Sequence, residues 1–431
     1  MKKLIYIFLV QMAVSLSYSQ VPIPAKEQDK AIMLKGATAH IGDGSVIENA
    51  MIGFDKGKLT VVMADASMDV SGYEVVDVSG KHIYPGFILP NSVVGLQEVG
   101  AIRAMSDFNE RGSFNPSIRS VISYNTDSEY IPTFRFNGVL LAETTPRGGL
   151  VSGTSSVMEM EGWNWEDAVH SMDIGVHMNW PNRLKWEFDD AADSWEQKPD
   201  KEYGNNVASL KAHFQEAAAY MEAASATNVK MEAMRGLFDG SKILFIHSDN
   251  AKSIVESIRM AQGLGIERIV LISGDQSLMV AGFLKENNIG VIVHSTYQMP
   301  SYTHSGVNDP YELPAKLFAK ELKVGMYMTG MLGFGRNLPF AAGTAVAHGL
   351  DYEKAVQMIS LNNAELLGVE DKVGSIAVGK DATLFVSDGD ALDMLTNKVS
   401  HAFISGKQIV LDNKQEELYK RYSDKYGHSE E

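Results

Sequence analysis

Eleven histidines and no cysteine leave imidazole, carboxylate, hydroxyl and amine groups as the available chemistry. Disulfide scaffolds, thiolate metal sites and cysteine nucleophiles are excluded. His247 closes the apolar run 242–247 and His294 closes the run 290–294. Both runs read as strands. In a parallel sheet the C-terminal strand ends form the face where ligands gather, so either the two imidazoles share one pocket or His294 simply packs or hydrogen-bonds at its strand end. Asp249, His304 and Asp309 lie near them in sequence. His170 and His177 are seven apart, but Gly175 and the strand-like run around it argue against one helical face. His40, His82, His213, His348, His401 and His428 read as structural or surface groups. There is no recognisable Ser-His-Asp set, P-loop or G-x-G-x-x-G fingerprint.

A second cluster surrounds Arg147. Gly148, Gly149 and Gly153 with Ser152, Thr154 and Ser155 read as a small-residue loop after the second strand. Such a loop either brings backbone N–H groups to a ligand oxygen or makes a tight packing turn. Arg147 either grips a substrate carboxylate with two donors or pairs with Glu143. The methionine-rich run 326–331 reads as core lining.

These groups need a frame. The 431 residues are 45% hydrophobic and 21% charged, with a formal charge of −16. That length buries a large core, read as one large domain plus a smaller one. No basic cluster offsets the negative balance, so neither nucleic acid nor an anionic membrane is an expected partner. Met1-Lys2-Lys3, an apolar stretch and Ser17-Tyr18-Ser19 read as a signal peptide over residues 1–19. The expected product is exported, periplasmic or secreted, and soluble. The apolar stretch falls short of the roughly 20 residues of a membrane span.

From 32 to 78 short strand-like bursts alternate with turns, and a related pattern returns beyond 374. Neither set makes a stable sheet alone, so residues 20–84 and 365–431 are expected to form one composite β-sandwich. Between them, residues 85–364 alternate short apolar strands with helices, the pattern of a parallel sheet buried on both faces. The expected fold class is α/β, a TIM-like (β/α)8 barrel inserted into the sandwich, with an open doubly wound sheet as the alternative. Residues 181–241 yield a long helix through Val207, Leu210, Phe214, Ala218 and Met221 but no fourth strand. Residues 189–203 read as a polar loop.

Tyr84-Pro85-Gly86-Phe87-Ile88, Asn362-Asn363-Ala364-Glu365-Leu366-Leu367-Gly368, Val373-Gly374-Ser375-Ile376 and Gly379-Lys380-Asp381-Ala382 together resemble motifs of the amidohydrolase superfamily. The likeness is nearest its imidazolonepropionase-like members. The run 146–156 with Gly162-Trp163 resembles an exported bacterial subgroup. The resemblance covers roughly residues 30 to 412. It implies hydrolysis of amide or cyclic-amide carbon–nitrogen bonds with a divalent metal such as zinc. It also implies metal ligands: a His-x-His ending the first barrel strand, histidines after the fifth and sixth, and an Asp after the eighth. Asn91-Ser92-Val93 stands at the first position, Ser273-Gly274 at the sixth strand and Met328-Thr329-Gly330-Met331 at the eighth. Only His247 matches. Catalytic zinc wants three protein ligands, so the expectation is that most of the metal site is gone. Pocket candidates are His247, His294, Asn91, Arg147, Ser152 and Thr154. Two functions stay open: an amidohydrolase with a non-standard site, or a pseudoenzyme. The latter would bind a small-molecule ligand, form a homo-oligomer or pair with an intact homologue.

Overall fold

The computed structural model describes residues 23–65, 68–190, 193–222, 226–300 and 305–428. Residues 1–19, read as a signal peptide, and His304 lie outside the described residues.

Residues near both chain ends build one eight-stranded sheet. Strands β1 (Ile32–His40), β2 (Val46–Asp55) and β3 (Lys58–Ala64) form an antiparallel meander. The two-residue turn Lys56-Gly57 has φ of 49° and 79°, the positive pair a tight hairpin favours. Strands β4 (Glu74–Asp77) and β5 (His82–Pro85) run parallel to β1. The sheet is completed from the distant end of the chain by β16 (Leu384–Ser387), β17 (Val399–Ile404) and β18 (Lys407–Gln408). β16 pairs antiparallel with β5. The chain ends therefore meet through backbone hydrogen bonds in a continuous sheet, with a core around Leu34, Ile52, Phe54, Leu384 and Phe403.

Gly86 separates that sheet from the next. A Cβ there would lie 2.9 Å from Thr383 Cγ2 and 3.0 Å from Leu140 Cβ, so only glycine lets the chain pass. The second sheet follows in the order β15-β14-β13-β12-β9-β8-β7-β6. Its members are β6 (Phe87–Ser92), β7 (Val139–Thr144), β8 (Val151–Glu159), β9 (Val169–Asn179), β12 (Ile243–His247), β13 (Ile269–Ser273), β14 (Gly290–His294) and β15 (Val324–Tyr327). The end strands β6 and β15 approach each other. Asn363 stitches that seam: its Nδ2 donates to Ile88 O at 2.8 Å and to Met326 O at 3.1 Å. The result is a nearly closed α/β barrel sheet.

Two sequence expectations are corrected here. Residues 151–156, read as a loop, belong to β8, which runs antiparallel to both neighbours. Its residues Val151–Met158 are all buried. Serine and threonine lower its apolar signal, but their hydroxyls find partners inside, so the strand survives burial. The missing strand thus lies before β9, and the barrel sheet is mixed. Second, the segment 189–203 is no plain loop. Strand β10 (Leu184–Asp189) pairs antiparallel with β11 (Ser194–Pro199) as a separate two-stranded hairpin. Alternating aromatic and charged residues supply the period of two that a strand needs.

The long helix expected through Val207 and Met221 is Tyr203–Glu222, and further helices form at Ala251–Gly263, Leu338–Ala347 and Tyr352–Ile359. Among the described residues no helix is long and apolar enough to cross a membrane.

Candidate active site at the mouth of the barrel sheet

Four polar side chains and one backbone N–H from neighbouring strands converge beneath the C-terminal ends of the parallel strands. Glu143 on β7, Ser155 on β8 and His177 on β9 are fully buried. Ser155 Oγ donates to Glu143 Oε1 at 2.7 Å. His177 Nε2 lies 3.0 Å from the same oxygen and 2.8 Å from Ser155 Oγ. The Asn91 N–H donates to Glu143 Oε2 at 2.8 Å. His177 Nδ1 then meets His247 Nε2 at 2.9 Å. Phe245 stacks on the His177 ring with centroids 4.6 Å apart, which fixes the plane of the imidazole.

The carboxylate orders the protons. Burial pushes the Glu143 carboxyl up, but the electrostatic attraction and hydrogen bond of His177, with the Ser155 and Asn91 donors, hold it below its ordinary value. A charged Glu143 only accepts, so Ser155 points its proton at it and His177 carries hydrogen on Nε2. With His177 neutral its Nδ1 accepts, so His247 donates from Nε2 and the lone pair of His247 falls on Nδ1. Burial first, then the charges of His177, Arg147 and His294, hold His247 well below its ordinary range. It is a neutral imidazole.

This network differs from a nucleophilic triad. In a triad the serine and the carboxylate occupy opposite ring nitrogens. Here both lie on Nε2 of His177, and the other nitrogen serves His247.

Arg147 follows β7 and is partly exposed at the mouth. Its guanidinium donates to Asn91 Oδ1 and to Asn91 O. Among the described residues no carboxylate pairs with it; Tyr327 and Glu143 act on it through their fields. Asn91 has φ of 52°, a left-handed turn that asparagine tolerates. That turn aims its side chain at Arg147 and its N–H at Glu143. Burial raises the Tyr327 phenol above its ordinary value, against the nearby Arg147 charge. On the far rim His294 Nε2 stands 3.6 Å from Asp249 Oδ1, which accepts from the Gly274 N–H at 2.7 Å. His294 packs edge-on against Tyr327 with centroids 5.3 Å apart.

Of the sequence candidates, His247, Asn91, Arg147 and His294 are brought to this mouth. Ser152 and Thr154 are buried on β8 and bonded elsewhere. Ser152 Oγ accepts from Asn179 Nδ2 at 2.8 Å, and Thr154 Oγ1 donates to Pro116 O at 3.0 Å. Asp309 opens a helix, where it bonds Lys316 and the Gly306 N–H. Sequence reasoning missed Glu143 as a site residue, Ser155 as its donor, His177 and Tyr327. The available signal was a polar residue in an otherwise buried apolar strand, as at His177 between Val176 and Met178. His40 and His82 are structural: they bond each other at 3.1 Å, and His40 bonds Glu353 at 2.7 Å.

The mouth does not fit a resident metal. Among the described residues no group of three or more His, Asp or Glu side chains could hold one. Both ring nitrogens of His177 are committed within the network, and the guanidinium beside His247 would repel a cation. A separate groove of about 800 Å³, lined by Lys211, Val255, Glu256 and Met260, shares no residue with the mouth.

The model of the amidohydrolase family matches residues 201–409. No curated protein matches the chain. Among solved structures, an amidohydrolase from Thermotoga maritima MSB8 superposes with a TM-score of 0.77 at 23% identity, covering 88% of this chain and 99% of that one. A prolidase complexed with N-methylphosphonate-L-proline gives 0.53 at 15% identity, covering 88% and 99%. An adenosine deaminase from Xanthomonas campestris with bound zinc gives 0.53 at 15% identity, covering 95% and 100%. At these identities the likenesses establish a shared fold.

Proposed function

We propose that this chain, whose residues 201–409 match the model of the amidohydrolase family and which shares the fold of an amidohydrolase, takes small amide or cyclic-amide molecules at its barrel mouth and hydrolyses their carbon–nitrogen bond with protein groups. The observation that carries this reading is the order Glu143–His177–His247 beside Arg147. It sets a neutral imidazole lone pair next to an unpaired guanidinium.

Each group has a role in the reaction. His247 Nδ1 accepts a proton from water as the water oxygen bonds the amide carbon and the carbonyl π pair moves to oxygen. Arg147 and the Tyr327 hydroxyl face the resulting negative oxygen, where charge stabilisation is worth most. Collapse breaks the carbon–nitrogen bond, and His247 returns its proton to the leaving nitrogen. Glu143 stabilises the transient imidazolium charge through His177. A base held below its usual range is correctly unprotonated at neutral pH but weak, so modest rates are expected. A carboxylate on the substrate would suit Arg147, which has donors beyond those given to Asn91. The leader read over residues 1–19 supports an activity outside the cytoplasm.

The weakness of His247 as a base favours a second reading, a pseudoenzyme that binds the same ligands without turnover. A screen of amides, dipeptides and hydantoin-like rings, with and without added divalent metal, separates the two. Metal-independent turnover abolished by His247→Gln supports hydrolysis. Saturable binding without product supports the second reading.

A further inference from the structure

The hairpin β10–β11 stands apart from both large sheets. On one face it exposes Leu184, Trp186 and Phe188 from β10, at 49%, 62% and 44%, and Trp195 from β11 at 64%. Phe188 and Trp195 are cross-strand partners in edge contact. A lone two-stranded hairpin is marginal in water, and such an apolar face marks an interaction surface.

The other face identifies the occupant. Within the hairpin the register sets Lys185 opposite Lys198 and Glu187 opposite Glu196. Like charges directly across a ladder repel. Along each strand opposite charges meet, Lys185 with Glu187 at 2.9 Å and Lys198 with Glu196 at 3.8 Å. Consider β10 paired antiparallel with the β10 of another copy about a twofold axis through Trp186. Lys185 then lies across from the other copy's Glu187, and Glu187 from its Lys185. On the apolar face Leu184 meets the other Phe188, and Trp186 meets its own copy. The β11 edge is less suited, because Pro199 lacks an N–H for the ladder.

We propose that this chain forms a twofold dimer by edge pairing of β10 with β10 of a second copy. The pair makes a four-stranded sheet, opposite charges facing across its seam on one side and apolar side chains on the other. The interface is isologous, so each change acts twice.

Charge reversal tests the register in the intact mature chain. Light scattering should give a dimer for the unaltered protein. Lys185→Glu and Glu187→Lys should each weaken the dimer by about tenfold or more, since each places like charges across the seam twice. The double reversal should restore the unaltered affinity. The natural absence of cysteine permits a second readout. Residues paired on the axis have Cα atoms about 4.5–5.5 Å apart, within disulfide reach. Trp186→Cys should therefore cross-link into dimers under mild oxidation, whereas Gln197→Cys on β11 should not. A monomer at all concentrations would overturn the proposal. So would single reversals without effect, a double reversal that fails to rescue, or cross-linking at Gln197→Cys instead. Hairpin-dependent binding of a monomer to lipid vesicles would replace the second copy with a membrane surface.

Discussion

His177 touches His247 at 2.9 Å through Nδ1 and Glu143 at 3.0 Å through Nε2, so one buried imidazole decides which nitrogen of the outer imidazole is free. The order runs outward from a carboxylate that only accepts. It depends on Glu143 being charged and on Ser155 giving its proton to that carboxylate.

Glu143→Gln should disturb both stability and proton order. Removing the carboxylate that buried donors share costs about 1–3 kcal/mol, and denaturant unfolding measures it. An amide can donate to His177 Nε2, which would reverse the ring tautomers. Imidazole nitrogen spectra should then show His247 moving its hydrogen from Nε2 to Nδ1. An unchanged His247 tautomer would show that Glu143 does not set the order.

Ser155→Ala should behave as the loss of a buried donor. We expect about 1–3 kcal/mol of destabilisation and retained chemistry at the mouth. Because Ser155 shares Nε2 with Glu143, it is not the nucleophile. A fluorophosphonate probe should leave it unlabelled, and labelling that disappears in Ser155→Ala would contradict the assignment.

Acid should unfold the protein in two stages. The His247 imidazole is held below its ordinary 6.5, so the fold favours its neutral form. That contribution is complete above pH 6.5 and is lost as pH falls from 6.5 to the depressed value. The Glu143 carboxyl is held below its ordinary 4.5, so its contribution is complete above 4.5 and is lost as pH falls through the folded value. Thermal midpoints followed from pH 8 to 4 should decline below 6.5, and His247→Gln should flatten the first part of the decline. A midpoint independent of pH over that interval would exclude a depressed His247.

Arg147→Met tests the guanidinium. Its charge is one of the causes depressing His247, so its removal should move the His247 titration upward. A carboxylate-bearing ligand should lose about tenfold to a hundredfold in affinity, the loss expected for a charged hydrogen bond. Nuclear magnetic resonance titration and calorimetry give the two values.

The parallel half of the barrel was legible because Ile243–His247, Ile269–Ser273, Gly290–His294 and Val324–Tyr327 are short apolar runs between helices. His247 and His294 were found for the same reason, since each closes its run. β8 was not legible: Ser152, Gly153, Thr154, Ser155 and Ser156 carry little apolar signal, and burial of hydroxyls depends on partners far away in sequence. Weighing His177 by its spacing from His170 asked a helical question of a strand residue. Its real partners, Glu143 and His247, lie 34 and 70 positions away. Arg147 was noticed, but its choice of Asn91 over Glu143 needed the left-handed turn at Asn91.

Metal content is the most direct measurement, because the mouth carries a guanidinium and a hydrogen-bonded imidazole chain where the resemblance to the amidohydrolase superfamily implies a metal. The purified mature protein would be incubated with zinc, dialysed and subjected to elemental analysis. The account predicts well under one zinc per chain. One zinc per chain that disappears in His247→Ala would contradict it.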